Sequence, residues 1–136
     1  MTTDQEMIER CEALWKSTQK GEPKRSAEAD RKSEGTYTNG FRNDIETWEA
    51  RRGDHIVRAK KVEWQTFNLA ADTRGARRVL EIVEGNKIVF QATEEGAGTR
   101  ENFGAGERHI GTDQIAAKPW RVSLGEVPSQ LEEVAA

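Results

Sequence analysis

The chain has 136 residues, of which 35% are hydrophobic and 33% are charged, and its net charge is -3 at pH 7. This length favours a single domain over residues 1–136 with a lean core, and the negative balance argues against a dedicated polyanion-binding protein. No apolar run is long enough for a membrane span or a signal-peptide core, and the single cysteine excludes an internal disulfide. We therefore expect a cytoplasmic protein that does not bind membranes.

The first segment, residues 3–20, predicts an amphipathic helix. Thr3 and Glu6 have the spacing of a capping box, and Gly21 follows the last periodic residues as a stop signal. One apolar stripe with a 3.6-residue period is formed by Met7, Ile8, Cys11, Leu14 and Trp15. Because Cys11 lies inside this stripe, a buried structural role is favoured over a nucleophile.

The next stretch is polar. Residues 20–35 contain no large apolar side chain and predict a linker or an exposed helix. The Asn39–Gly40 pair predicts a turn or a short hairpin. After it, Asn43 and Glu46 have the spacing of a helix N-cap pair, which predicts a short second helix that ends near Gly53.

Residues 55–69 predict a β-strand in which the alternation of apolar and polar residues changes phase. Val57 and Ala59 share one phase, whereas Val62 and Trp64 share the opposite phase. A change of phase within one strand predicts either a β-bulge or two consecutive strands.

Residues 78–92 are the most apolar segment and predict a β-hairpin closed by the Gly85–Asn86 pair. Folding about this turn places Ile82 opposite Val89. The predicted core face carries Val79, Val83, Ile88, Phe90 and Ala92. The other face carries Leu80, Ile82 and Val89.

Residues 94–116 contain five glycines and predict a glycine-rich loop. A phosphate-binding loop is excluded because no lysine occurs between Lys87 and Lys118. Residues 118–124 predict a last strand, and residues 125–136 predict a flexible acidic tail.

Together these elements predict an α+β fold: an N-terminal amphipathic helix and a short second helix, packed on a curled antiparallel sheet or a partly open β-barrel. This element order is similar to that of cystatin-like and NTF2-like architectures, which often enclose a ligand cup. Such a likeness concerns the order of elements and by itself supports no function.

The charge distribution is uneven. Residues 51–80 hold eight basic and three acidic side chains, a balance of +5, between flanks with balances of -3 and -5. The favoured interpretation of this basic window is a solvated sheet face that the protein's own acidic flanks neutralise; the alternatives are binding to an acidic protein partner and, less favoured, to nucleic acid. The candidate partner- or anion-binding residues are Arg51, Arg52, Arg58, Lys60, Lys61, Arg74, Arg77 and Arg78.

Catalytic signals are weak. His109 and His55 are the only candidates for acid–base chemistry, and no serine or cysteine has the flanking pattern of an activated nucleophile. With two histidines and one cysteine, a four-ligand zinc site is not expected. We predict neither a metal nor a cofactor.

The four tryptophans complete the prediction. Each lies on the apolar phase of its element, which favours one shared core over an aromatic cup for a small ligand. The leading interpretation is a non-enzymatic interaction or accessory protein, which binds a partner protein or a second copy through a basic surface and flexible loops. The alternatives are a small-ligand cup with weak acid–base chemistry and a polyanion-binding protein that uses residues 51–80.

Overall fold

A computed structural model describes residues 4–34, 37–67, 71–103, 110–129 and 131. The chain begins with one helix, α1 (Asp4–Thr18). The strands that follow are β1 (Lys24–Glu34), β2 (Tyr37–Arg52), β3 (His55–Phe67), β4 (Ala71–Glu84), β5 (Lys87–Glu95), β6 (Gly98–Phe103), β7 (Ile110–Ile115) and β8 (Lys118–Gly125).

All strand pairs are antiparallel, in the order β1-β2-β3-β4-β5-β8, while β6 pairs with β4 and β7. β5 and β6 lie end to end beside β4, because β5 pairs with residues 77–84 and β6 with residues 71–74. In the same way β8 pairs with β5 and β7 pairs with β6. The eight strands therefore form six rows, and the sheet is not closed into a barrel.

Two short interruptions divide the sheet into halves. Gly96 and Ala97 separate β5 from β6, and residues 116–117 separate β7 from β8. The proximal half contains α1, β5, β8 and the parts of β2, β3 and β4 at residues 47–60 and 78–84. The distal half contains β1, β6, β7 and the remaining parts of β2, β3 and β4.

Helix α1 covers one face of the proximal half, called here the helix side, and the main core lies between them. Cys11, Leu14 and Trp15 are buried, which confirms the predicted stripe, and Met7 and Ile8 pack partly buried against the same core. The sheet residues of this core are Trp48, Val57, Ala59, Leu80, Ile82, Phe90, Ala92 and Trp120. Thr3, the predicted capping residue, lies outside the described residues.

Two predictions between residues 20 and 53 are wrong. Residues 24–34, predicted as a linker or an exposed helix, form β1, which pairs along its length with β2. β1 is an edge strand beyond the reach of α1, so its polar composition suits a strand with water on both faces. The predicted second helix and the Asn39–Gly40 turn both lie inside β2, because pairing with β3 and β1 overrides the local capping signals.

The phase change in β3 does not reflect a bulge, so this prediction is also wrong. β3 keeps one register with β2 and with β4 along its whole length. Successive side chains of a strand point to opposite faces, so Val57 and Ala59 face α1 while Val62 and Trp64 face the other side. The change of phase is a change in which face of the sheet is apolar.

The β4–β5 hairpin is confirmed, with Glu84 opposite Lys87 at the predicted turn. A register shift between Ile82 and Val83, however, places Ile82 opposite Phe90 instead of Val89. The predicted core face is consequently wrong for Val79 and Ile88, whereas Val83 is buried but lies outside the main core under α1. Leu80 and Ile82 pack in the core beside Phe90 and Ala92.

The glycine-rich segment is only partly a loop, because β6 and β7 lie within residues 94–116. Residues 104–109 lie outside the described residues. In the predicted flexible tail, Val127 and Leu131 pack against the main core. The α+β fold with an antiparallel sheet is confirmed in this coarser form: one N-terminal helix on an open sheet.

Candidate partner-binding face

In the distal half, apolar side chains lie on the face opposite α1, called here the outer face. Register and alternation place Phe41, Ile45, Val62 and Trp64 together on this face, and these four residues are called the outer strip. Ile45 lies directly opposite Val62. Phe41 is 39% exposed and Val62 is 9% exposed, while Ile45 and Trp64 are half-buried. No element in the described part of the chain packs across the strip.

The helix side of the distal half is charged. Arg42 and Asp44 form an ion pair at 3.0 Å, and Lys61 lies 3.7 Å from Glu63. Arg25 of β1 lies 3.5 Å from a carboxylate oxygen of Glu46 on β2. These pairs are mostly exposed, which is typical of a water-facing surface. The distal half is therefore a single sheet layer with one charged face and one face that carries an apolar strip.

Trp64 occupies its position because its cross-strand neighbour is Gly75. A Cβ atom on Gly75 would lie 2.7 Å from Cζ2 of Trp64 and 3.2 Å from the Cα of Gly98. The indole ring thus lies where a larger neighbour would place its own side chain. A groove of about 430 Å³ is lined mainly by residues of the opposite, helix side, among them Lys61 and Glu63, and Trp64 also contributes to its lining.

The predicted basic residues do not lie on one surface. Alternation places Arg51, Arg58, Lys60 and Arg77 on the outer face. Arg52, Lys61, Arg74 and Arg78 lie on the helix side. Residues that are close in sequence are thus separated by the thickness of the sheet. Sequence reasoning missed this separation because a predicted bulge in β3 was taken to interrupt the alternation, whereas β3 has none.

Several of these basic side chains already have acidic partners within the protein. Arg58 binds Glu49 at 3.0 Å, and Nζ of Lys60 lies 2.6 Å from the buried carboxylate of Glu81. Gln91 donates a further hydrogen bond to Glu81 at 3.4 Å. These contacts neutralise much of the charge that the sequence assigned to an external ligand.

Arg78 is the most enclosed basic residue in the set. Its guanidinium carbon lies 5.2 Å and 5.1 Å from the ring centroids of Trp15 and Trp120. Its amino groups bind Glu12 of α1 and Glu94 of β5. The hydrogen bond from Arg78 lowers the pKa of Glu12, and a second hydrogen bond, from Nε1 of Trp120 at 3.0 Å, lowers it further. Arg78 therefore ties the helix to the sheet.

Three of the four tryptophans share the core, as predicted. The ring of Trp15 lies 6.1 Å from that of Trp48, with an interplanar angle of 71°, and 6.1 Å from that of Trp120. Nε1 of Trp48 donates to the carbonyl of Gly21 at 3.1 Å. Trp64 is the exception, because it lies in the outer strip.

The candidate catalytic groups do not converge on one site. His55 is buried, with Nε2 3.3 Å from a carboxylate oxygen of Glu84. Beside it, Arg52 donates to Oγ of Ser17 at 2.5 Å, near the end of α1. His109 lies outside the described residues. Burial raises the pKa of Cys11 to about 11, so its reactive thiolate form is disfavoured.

Two further findings concern the described residues. No group of three or more histidine, cysteine, aspartate or glutamate side chains among them could hold a metal ion. No helix in this part of the chain is long and apolar enough to cross a membrane.

Charged side chains border the outer strip on both sides. Arg77 of β4 lies beside Val62, and its Nε atom is buried without a hydrogen-bond partner. On the other side, Glu28 and Asp30 of β1 are exposed. Within the described residues none of the three forms an ion pair. Sequence reasoning missed this arrangement, although the phase change of β3 was its signal.

No family model matches the chain, and neither a curated protein nor a solved structure is significantly similar to it.

Proposed function

We propose that this protein is a non-enzymatic interaction protein that binds a partner protein through its outer strip. The observation that carries the proposal is a difference between the two halves of the sheet. In the proximal half the apolar side chains lie on the helix side, whereas in the distal half they lie on the outer face. A sheet face that carries apolar side chains is normally buried against a second layer. In the distal half a partner protein would provide that layer.

The composition of the strip supports a protein partner. Aromatic side chains are enriched where proteins bind one another, and Phe41 and Trp64 supply two of them next to aliphatic Ile45 and Val62. Gly75 supports the indole of Trp64 from the neighbouring strand, so the ring is held in place before binding. A rigid aromatic side chain loses little conformational entropy when a partner covers it.

The alternative functions have less support. A ligand cup needs inward-facing tryptophans around a cavity, whereas Trp15, Trp48 and Trp120 pack against one another. The groove on the helix side of the distal half is lined largely by charged side chains that pair with each other. A polyanion needs positive charge on one surface, and the basic residues are divided between two faces. Binding through those basic residues stays a prediction.

Site-specific photo-crosslinking in the producing cells tests the proposal. A photoreactive amino acid is placed at Phe41 in the outer strip and, as the matched control, at Arg42, the next residue of β2 on the opposite face. We expect a discrete adduct from position 41 that is absent at position 42 and is weakened by Ile45→Asp. No adduct from position 41, or equal adducts from both positions, would contradict the proposal.

A further inference from the structure

We infer that the proximal half binds an extended segment of another protein, which adds as a further strand along the edge of β8 that does not face β5. The segment would place apolar side chains in a groove between β8 and α1, and a carboxylate beside Arg121. This site lies outside the outer strip, so the inference goes beyond the proposed function and does not depend on it.

β8 is an edge strand of the sheet. It pairs with β5, and no other backbone hydrogen bond among the described residues reaches it. Of its eight residues only Trp120 is buried. The main-chain N–H and C=O groups on the side away from β5 are therefore open to a partner strand, as in domains that bind peptides by strand addition.

The two edges of the sheet differ in how they are protected. β1 carries seven charged residues of both signs among its eleven, and charged edges of this type resist strand addition. β8 carries two charged residues among its eight, Lys118 and Arg121. Pro119 lacks an N–H but lies near the start of β8, so residues 120–125 keep their donors. β8 is therefore the edge that is better suited to a partner strand.

An apolar groove of about 400 Å³ lies beside this edge, between β8 and the first half of α1. Met7 and Ile8 of α1 line it and are half-buried, and Val122 of β8 lines it and is 38% exposed. Nε1 of Trp120, which also lines the groove, donates a hydrogen bond to Glu12 of α1 at 3.0 Å. This bond holds the two walls together before binding, and a preformed site lowers the entropic cost of binding.

Alternation along β8 gives its two faces different side chains. Trp120 and Val122 lie on the side of α1, whereas Arg121, which also contributes to the lining, lies on the outer face opposite Thr93. Register shifts in the pairing with β5 occur on both sides of Arg121 and Val122, so these two residues form the regular stretch that a partner strand would meet. The partner would place one side chain beside Arg121 and the side chains before and after it in the groove.

Charge selects the side chain that lies beside Arg121. Arg121 is exposed and forms no ion pair with another described residue. Glu95 of β5 already pairs with Lys118 at 3.9 Å. On the other wall of the groove, Asp4 of α1 disfavours an acidic side chain inside it. The matching sequence of the partner is therefore apolar–acidic–apolar.

The same charges disfavour a second copy of this chain as the occupant. β8 has two cations and no acidic residue, so two β8 edges that paired with each other would bring like charges together. Like charges across two strands destabilise the pair, whereas opposite charges stabilise it. Charge complementarity therefore favours an acidic segment of a different protein.

Fluorescence anisotropy of labelled peptides, titrated with the purified full chain, tests the inference. The probe is a capped peptide with the core Thr-Val-Glu-Val-Thr, whose valines match the groove and whose glutamate matches Arg121. We expect saturable binding that weakens by about tenfold or more when both valines are replaced by serine. Arg121→Glu should weaken binding of the probe roughly tenfold, because the variant places like charges across the two strands. The same variant should bind the core Thr-Val-Lys-Val-Thr more tightly than the wild type does.

A second pair of peptides tests strand addition itself. Successive residues of a strand direct their N–H groups to opposite edges. Methylation of the glutamate nitrogen and methylation of both valine nitrogens therefore remove donors from opposite edges of the peptide. One edge faces β8 and the other faces water, so only one of the two modified peptides should lose binding. Equal binding of the two would contradict a bound strand.

Two controls separate binding from folding. Arg10→Glu makes the same change of charge on the exposed side of α1 and should leave the affinity for the probe unchanged. Circular dichroism verifies the fold of each variant. The outer strip is judged separately, by the crosslinking at position 41.

Each outcome decides the inference. Affinity that depends on the acidic side chain and on one edge of the peptide would support it. No saturable binding of the probe up to millimolar concentration would overturn it, as would equal affinity of the wild type and Arg121→Glu. Light scattering with size exclusion on the same samples reports the competing occupant: a dimer of the chain that the probe does not dissociate would also overturn the inference.

Discussion

Arg78→Ala is expected to be among the most destabilising single substitutions of a charged residue in this protein. The change removes two cation–π contacts, with Trp15 and Trp120, each contributing about 0.5–1 kcal/mol. It also leaves the carboxylates of Glu12 and Glu94 without their cation. The side chains of Glu12 and Glu94 are about one-third and one-fifth exposed. The stabilisation lost with their ion pairs therefore lies between the values typical of exposed and of buried ion pairs, at about 1–2 kcal/mol.

The sum predicts a loss of about 3 kcal/mol, a large share of the roughly 5–15 kcal/mol that stabilises a typical domain. Urea unfolding followed by tryptophan fluorescence and far-ultraviolet circular dichroism measures it. Arg58→Ala is the matched control, since its ion pair with Glu49 is more exposed and should contribute less than about 1 kcal/mol. If Arg78→Ala cost no more than this control, the assigned role of Arg78 would be wrong.

Three further predictions follow from individual contacts. The pKa of Glu12 is lowered in the folded state by the hydrogen bond from Arg78, so its stabilising contribution is full above the unfolded pKa of about 4.3 and is lost as the pH falls through the lowered value. The urea midpoint of the wild type should therefore fall more steeply on acidification than that of Glu12→Gln, and parallel curves would contradict this. Because the pKa of Cys11 is about 11, a thiol reagent at mildly alkaline pH should modify the native protein far more slowly than the urea-unfolded protein; equal rates would show that the thiol is accessible. Gly75→Ala should displace the indole of Trp64 and destabilise the fold by about 1–3 kcal/mol, whereas an unchanged near-ultraviolet spectrum would contradict the close packing of these residues.

The sequence predicted the elements whose signals are local and strong. The period of the apolar stripe defined α1, because a helix places residues three and four apart on one side whatever it packs against. The hairpin at Gly85 was likewise predictable, since a two-residue loop between apolar strands needs little tertiary support and Gly85 has a φ of 63°. Burial of Cys11 followed from the same helical stripe.

Only the tertiary structure decided how the remaining strands pair and which face each side chain occupies. β1 contains no apolar pattern of its own, and its hydrogen bonds to β2 make it a strand. One bulge after Ile82 placed Leu80 and Ile82 on the same face as Phe90 and Ala92, because a shift of one residue exchanges the faces of one strand relative to its partner. The outer strip has the same origin: Val62 and Trp64 were visible as a phase change, but the direction they face depends on where α1 packs. Position relative to other elements is a long-range property, and a local pattern in the sequence does not encode it.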